Sequence, residues 1–169
     1  MSGKKRRDYK KVFQAVLRLM PSTNVEKFVL DFEAGLWQGL RDVFHEPQIQ
    51  GCAFHFGQAL WRKAQDLGLQ SAYSNNDKVY KLMRKTFALP LLPHEDIEKT
   101  FDKLQSQNTD ETLGQYFEYI KSTWINSDIW SPENWSVFGC SIRTNNDVEG
   151  WHARLNRRGT SRVTYPSTC

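Results

Sequence analysis

A strand–helix–strand–helix pattern over residues 28–67 constrains the fold of this chain more than any other feature. Residues 28–30 (FVL) form a short apolar run that predicts a buried strand ending at Asp31, and residues 48–54 predict a second strand. Apolar residues at helical spacing follow each strand: Ala34, Trp37, Leu40 and Phe44, then Phe56, Ala59, Leu60, Ala64 and Leu67. Gly68 is the predicted end of the second of these helices. The pattern predicts two parallel strands in a βαβα unit.

The rest of the chain reads as mostly helical, so we expect an α/β protein with few strands. One amphipathic helix is predicted over residues 8–20. Downstream helices are marked by three apolar sets: Val79, Leu82, Met83 and Phe87; Ile97, Phe101 and Leu104; and Leu113, Tyr116, Phe117, Ile120 and Trp124. Residues 130–135 predict an aromatic-rich loop, and a last helix is expected from Asn145–Asn146 to about Arg158.

These elements suggest four segments within a chain of 169 residues, a length that suits one domain with a subdomain. We expect a core over residues 1–68, a helical insertion over 69–142, a C-terminal helix over 143–158 and a disordered tail over 159–169.

Composition narrows the class of protein. The 13% aromatic content argues against global disorder, and no apolar run of about 18 residues predicts a membrane span. Three cysteines are a poor disulfide framework, which favours a reducing compartment. A net charge of +4 is a mild bias towards polyanions such as nucleic acid.

Asp31 is the first candidate site residue. It follows the first predicted strand, and ligands of α/β sheets bind at the carboxyl ends of the strands. An acid there can hold a metal ion or orient a ligand. The alternative is that Asp31 only caps the next helix.

Glu149 is the second candidate, on the predicted last helix. At about 100° per residue, one polar stripe contains Asn145, Glu149, His152 and Asn156 beside the apolar stripe. Such a stripe at the edge of a core is costly unless its groups bind something or each other. Capping by Asn146 and Glu149 is the alternative, but it leaves His152 and Asn156 unexplained.

Cys52 and His55 are separated by two residues where the second strand meets its helix. The pair could supply half of a zinc site, but no second close pair of ligands follows, so zinc is not expected. We expect instead a buried Cys52, with His55 near the cleft contacting DNA or a carboxylate.

Two further features have competing interpretations. The basic residues 4–7 could grip phosphates, act as a nuclear import signal or form a solvated tail. Trp124, Trp130 and Trp135 could stack on bases, although packing within a helical subdomain is the more common role.

Three motif blocks together resemble the Mutator-like element (MULE) transposases. They are residues 30–36 (LDFEAGL), residues 51–61 (GCAFHFGQALW) and residues 143–156 (RTNNDVEGWHARLN). The similarity extends over about residues 8–158.

The resemblance implies an RNase H-like fold with a helical insertion, and Mg²⁺-dependent cleavage and transfer of DNA strands. Asp31 matches the second catalytic acid of the family and Glu149 the third, so both are the implied metal ligands. Cys52 and His55 match the Cys-x2-His motif of the family, and His152 matches the histidine after the glutamate. Asn145, Asn146 and Asn156 are expected to support the site or contact DNA.

One departure limits the activity we expect. The first acid of the family lies on a strand before the helix at residues 8–20, and Asp8 has no such strand. We therefore expect a partial RNase H-like fold that binds Mg²⁺ weakly and is inactive alone.

Three functions follow, in order of preference. They are a fragment of a transposase domain, a non-enzymatic DNA-binding or interaction module derived from one, and a small zinc-binding helical protein. The expected partners are DNA and a second copy or a longer transposase, with no membrane, and the expected location is the nucleus, otherwise the cytoplasm.

Overall fold

A computed structural model describes residues 5–20, 25 and 27–144 of the chain. This part is mostly helical, with one parallel pair of strands. The strands are β1 (Lys27–Leu30) and β2 (Gln48–Gly51). The helices are α1 (Arg6–Leu19), α2 (Ala34–Arg41), α3 (Ala53–Asp66), α4 (Gln70–Asn75), α5 (Asp77–Phe87), α6 (His94–Ser106), α7 (Glu111–Ile120) and α8 (Pro132–Trp135). The predicted α/β, mostly helical class is confirmed.

The two strands pair in parallel, as the βαβα pattern predicted. Their register places Phe28 opposite Ile49 and Leu30 opposite Gly51. β2 is shorter than expected, because residues 53 and 54 already belong to α3. Cys52 occupies the N-cap position of that helix. The apolar residues 53 and 54 therefore belong to its first turn, although in the sequence they read as the end of a strand.

The first helix packs against the crossover helix at a close approach of the two backbones. A Cβ added at Gly39 of α2 would lie 2.8 Å from Cβ of Tyr9 and 3.0 Å from the carbonyl oxygen of Arg6. Arg6 Nε also donates to Asp42 Oδ2 at 2.8 Å, just after α2. The absence of a side chain at Gly39 therefore lets α1 lie directly on α2.

Helix α3 joins the sheet to the helical part of the chain. Its buried face (Phe56, Leu60, Ala64) lies in the same apolar cluster as α5, α6 and α7. Gly68, the predicted stop, follows α3 with a φ of +70°.

Two of the three candidate stacking tryptophans are core residues: Trp124 is 2% exposed and Trp135 is fully buried. Packing, the more common role, is therefore what the structure shows for them.

The helical part differs from the sequence prediction at three places. α4 was not predicted, because its sequence (QSAYSN) has no apolar periodicity. α8 lies within the predicted loop, with Pro132 at its first turn. The predicted helix ending at Trp124 changes after Ile120 into a π-helical segment over Lys121–Ile125.

The polar side chain of Gln50 attaches β2 to the segment around α8. Gln50 Nε2 donates to the carbonyl oxygen of Ser136 at 2.8 Å, and Asn134 Nδ2 donates to that of Ile49 at 3.4 Å. Gln50 is only 5% exposed, so its bond to Ser136 satisfies a buried amide. The helical part thus covers the outer edge of β2.

Of the predicted helix over 143–158, the structure describes only residues 143 and 144, and neither is helical. Residues 145–158 and the predicted tail at 159–169 lie outside the described ranges. Of the helices within those ranges, none is both long and apolar enough to cross a membrane.

Candidate functional site

Asp31 occupies the carboxyl end of β1, where the sequence placed it. Its carbonyl oxygen accepts hydrogen bonds from Glu33 N at 2.8 Å and from Trp37 Nε1 at 2.8 Å. The buried indole of Trp37 therefore fixes the turn that carries Asp31. The capping alternative is not observed, since Glu33 is the N-cap residue of α2 and that cap has no side-chain hydrogen bond.

His55 comes to Asp31 from the other strand–helix junction. Its Nδ1 lies 2.7 Å from Asp31 Oδ1, in a pair that is 21% exposed on the imidazole and 48% on the carboxylate. His55 is the third residue of α3, so its position follows from where that helix starts. The expectation that His55 contacts a carboxylate near the cleft is confirmed.

Cys52 determines where helix α3 starts. Its backbone N–H donates to the carbonyl oxygen of Leu30 at 3.0 Å, which continues the sheet ladder by one bond. The Cys52 side chain is fully buried, as expected. Cys52 thereby holds the first turn of α3, and with it His55, beside the end of β1.

An open cavity of about 480 Å³ surrounds the Asp31–His55 pair. Glu33, Gln58 and Arg62 line it with them. Two carboxylates, an imidazole, an amide and a guanidinium thus face one space. Such a mixture can bind a cation through the acids and an anion through Arg62.

Tyr9 belongs to this site, although the sequence indicated only a residue on the apolar stripe of α1. Burial and a hydrogen bond with Glu33 raise the pKa of Tyr9 to about 12. The phenol is therefore neutral at physiological pH and available as a hydrogen-bond donor to the Glu33 carboxylate. Periodicity could not reveal this role, since the hydroxyl reaches Glu33 only because α1 packs on α2.

The chain returns to this end of the sheet at Arg143, the first residue of the third motif block. Ala53 N donates to the carbonyl oxygen of Arg143 at 3.1 Å, one residue after Cys52. The other predicted site residues lie outside the described ranges: Asn145, Asn146, Glu149, His152 and Asn156. The predicted convergence of Glu149 and Asp31 therefore stays a prediction.

The donor chemistry of the cavity fits Mg²⁺ in part. Among the residues that the structure describes, no group of three or more His, Cys, Asp or Glu side chains could hold a metal ion. However, Mg²⁺ is usually bound through one or two carboxylates together with substrate phosphates. Asp31 and Glu33 supply two carboxylates in one cavity, and the rest of such a shell would come from phosphate, water or a further acid.

Comparison with protein-family models, with curated proteins and with solved structures finds no match to this chain.

Proposed function

We propose that this chain is part of a transposase-type domain that binds DNA and a divalent cation at Asp31. In this proposal the βαβα unit is a portion of an RNase H-like sheet, and the helices after α3 are its insertion. The observation that carries the proposal is the Asp31–His55 pair, 2.7 Å apart at the carboxyl end of β1 in an open polar cavity.

The placement of the acid supports a ligand-binding role. Asp31 is about half exposed, whereas the turn beneath it is held by the buried Trp37 indole. A carboxylate that is rigidly supported yet open to solvent is suited to bind a cation without rearrangement. His55 acts as a positioning residue, because its Nδ1 lies 2.7 Å from Asp31 Oδ1 and holds the carboxylate in place as second-shell partners hold metal ligands.

Glu149 is the second proposed ligand. It stands six residues after Arg143, whose carbonyl oxygen accepts from Ala53 N beside the site. Six residues span at most about 20 Å, so the sequence allows Glu149 to reach Asp31. When bound, Mg²⁺ would supply charge neutralisation for the phosphates of DNA.

The proposal does not include strand cleavage by this sequence alone. Transposases of the resembled family use three acids, and this sequence matches two of them, Asp31 and Glu149. We therefore expect weak binding of the cation that tightens when DNA supplies phosphate ligands.

The test is the affinity of the full 169-residue chain for Mn²⁺, measured by calorimetry with and without DNA. We expect Asp31→Asn and Glu149→Gln each to abolish the DNA-dependent gain in Mn²⁺ affinity. His55→Asn should weaken Mn²⁺ binding by about 10-fold, since it removes a group that orients a ligand.

Asp102→Asn is the matched control. Asp102 is an exposed acid of α6 that pairs with Lys121, away from the cavity. Equal Mn²⁺ affinities for Asp31→Asn, Asp102→Asn and the unmodified chain would refute the proposal, provided that all three show the same thermal unfolding.

A further inference from the structure

Residues 53–87 form one of the basic segments of this chain. Residues 53–87, from α3 to α5, contain six Lys and Arg against two Asp and Glu. Their net charge is +4. A polyanion would therefore be attracted to this segment, as it would be to the basic residues 4–7.

Four of these cations are carried by α5. They are exposed, and none of them forms an ion pair within the described ranges: Lys78, Lys81, Arg84 and Lys85. Lys81 and Arg84 are three residues apart, so they are neighbours on the helix surface.

An aromatic groove lies beside Arg84, between α3 and α5. Its volume is about 380 Å³, and its aromatic walls are Phe54, Trp61, Tyr73 and Phe87. This volume falls in the range of pockets that take small organic groups.

The aromatic surface continues from the groove onto α5. The rings of Trp61 and Tyr73 are 5.1 Å apart between centroids, and those of Tyr73 and Tyr80 are 4.9 Å apart. Phe54 and Tyr80 are each 43% exposed, which is unusual for such large rings in a chain that buries Trp37, Trp124 and Trp135.

We propose that this groove, with Arg84 at its edge, binds single-stranded nucleic acid by stacking unpaired bases on Phe54, Trp61 and Tyr80. Aromatic side chains interleaved with cations are the common platform for single strands, because every base has a π face and every nucleotide a phosphate. The bases of a duplex are already stacked on each other, so a duplex would meet only the cations. An acidic peptide would use the cations but would leave the exposed aromatic rings without a partner.

The groove also adjoins the Asp31 cavity. Gln58 lines both spaces, and His55 and Gln58 lie one turn apart on α3. A strand stacked in the groove could therefore continue across the N-terminal half of α3 to the Asp31 cavity. This continuity deepens the proposed function, but the binding of the strand itself does not depend on a cation at Asp31.

The test is fluorescence anisotropy of the full chain with a labelled oligothymidylate of about 16 nucleotides, which covers the site sizes usual for such platforms. We expect tighter binding to this strand than to a duplex of equal length. Phe54→Ser should weaken single-strand binding by roughly 5- to 100-fold, the loss of one stacked base. Arg84→Gln should reduce the slope of log affinity against log salt by about 0.7, the loss of one phosphate contact.

Phe138→Ser and Lys99→Gln are the matched controls. Phe138 is 60% exposed outside the groove, and Lys99 is an exposed cation of α6. Both should bind the strand as the unmodified chain does. Equal weakening by the groove and control variants, or preference for the duplex or for an oligoglutamate peptide, would overturn the proposal. Strand binding measured in excess EDTA tests the groove without the cation, so a failure of the cation site is distinguishable from a failure of the groove.

Discussion

At the scale of single residues, buried hydroxyl groups hold parts of this molecule together. Thr86 is fully buried, and its Oγ1 donates to the carbonyl oxygen of Met83 at 2.7 Å. Its hydroxyl has one proton, so the 2.9 Å contact with Tyr116 has the phenol as donor. Burial raises the pKa of Tyr116 well above the usual range for tyrosine.

Tyr116→Phe should lower the free energy of unfolding by about 1 kcal/mol at neutral pH, because one buried hydrogen bond is lost. It should also reduce the dependence of stability on alkaline pH. The ionised phenol is disfavoured in the folded state, so the pKa of Tyr116 is higher folded than unfolded. Its stabilising contribution is complete below the unfolded pKa of about 10 and is lost as the pH rises above it.

Urea denaturation at neutral and at alkaline pH measures both effects. Tyr80→Phe serves as the control, because Tyr80 is 43% exposed. If both variants lost stability equally on going to alkaline pH, the assignment to the buried phenol would be wrong.

At the scale of secondary-structure elements, two helical glycines have opposite roles. Gly39 lies where α1 meets α2, and a Cβ there would lie 2.8 Å from Cβ of Tyr9. Gly57 lies in α3, and a Cβ there would meet nothing within 4 Å. Replacement by alanine therefore tests close packing at Gly39 and helix propensity at Gly57.

Gly39→Ala should destabilise the chain by about 1–3 kcal/mol, because neither helix backbone can retreat without losing its packing. Gly57→Ala should stabilise it by about 0.5–1 kcal/mol, since alanine is the better helix former. Chemical denaturation of the two variants measures both values. A stabilising effect at Gly39 would show that α1 does not pack on α2 as described.

At the scale of the whole molecule, two apolar clusters meet at shared aromatic residues. A small cluster around the sheet contains Trp37, Leu40 and Ile49, and the larger one contains the helices from α3 onward. Phe32 and Trp130 pack against both. The ring of Phe32 lies 4.6 Å from Trp124 and 6.0 Å from Trp37 between centroids, so it bridges the sheet and the helices.

Phe32→Ala should destabilise the chain by about 2–3 kcal/mol, at or below the low end of the range for a buried phenylalanine, because its ring is only partly buried. It should also uncouple the two clusters. Unfolding followed by tryptophan fluorescence and by far-ultraviolet circular dichroism should then give different midpoints. Phe138→Ala, at a residue 60% exposed, should change stability by less than about 0.5 kcal/mol. Coincident transitions in Phe32→Ala would argue against the bridge.

Much of the fold could be predicted from local periodicity, but the ends of elements could not. The apolar run at residues 28–30 and the stripes of α1, α5, α6 and α7 are signals within one element, and each was found. The predicted start of α3 is too late, because a sheet hydrogen bond to the carbonyl oxygen of Leu30 holds Cys52 at the N-cap position. Such a bond depends on a strand 22 residues earlier in the chain.

The sequence by itself determined a parallel βαβα unit, a helical remainder and an acid at the end of β1, because periodicity and strand length act within a few residues. The tertiary structure decided which side chains meet. Only packing brings His55 to Asp31, Tyr9 to Glu33 and the rings of α3 and α5 into one groove. Those contacts join residues far apart in the chain, and their distances depend on how whole elements pack against each other.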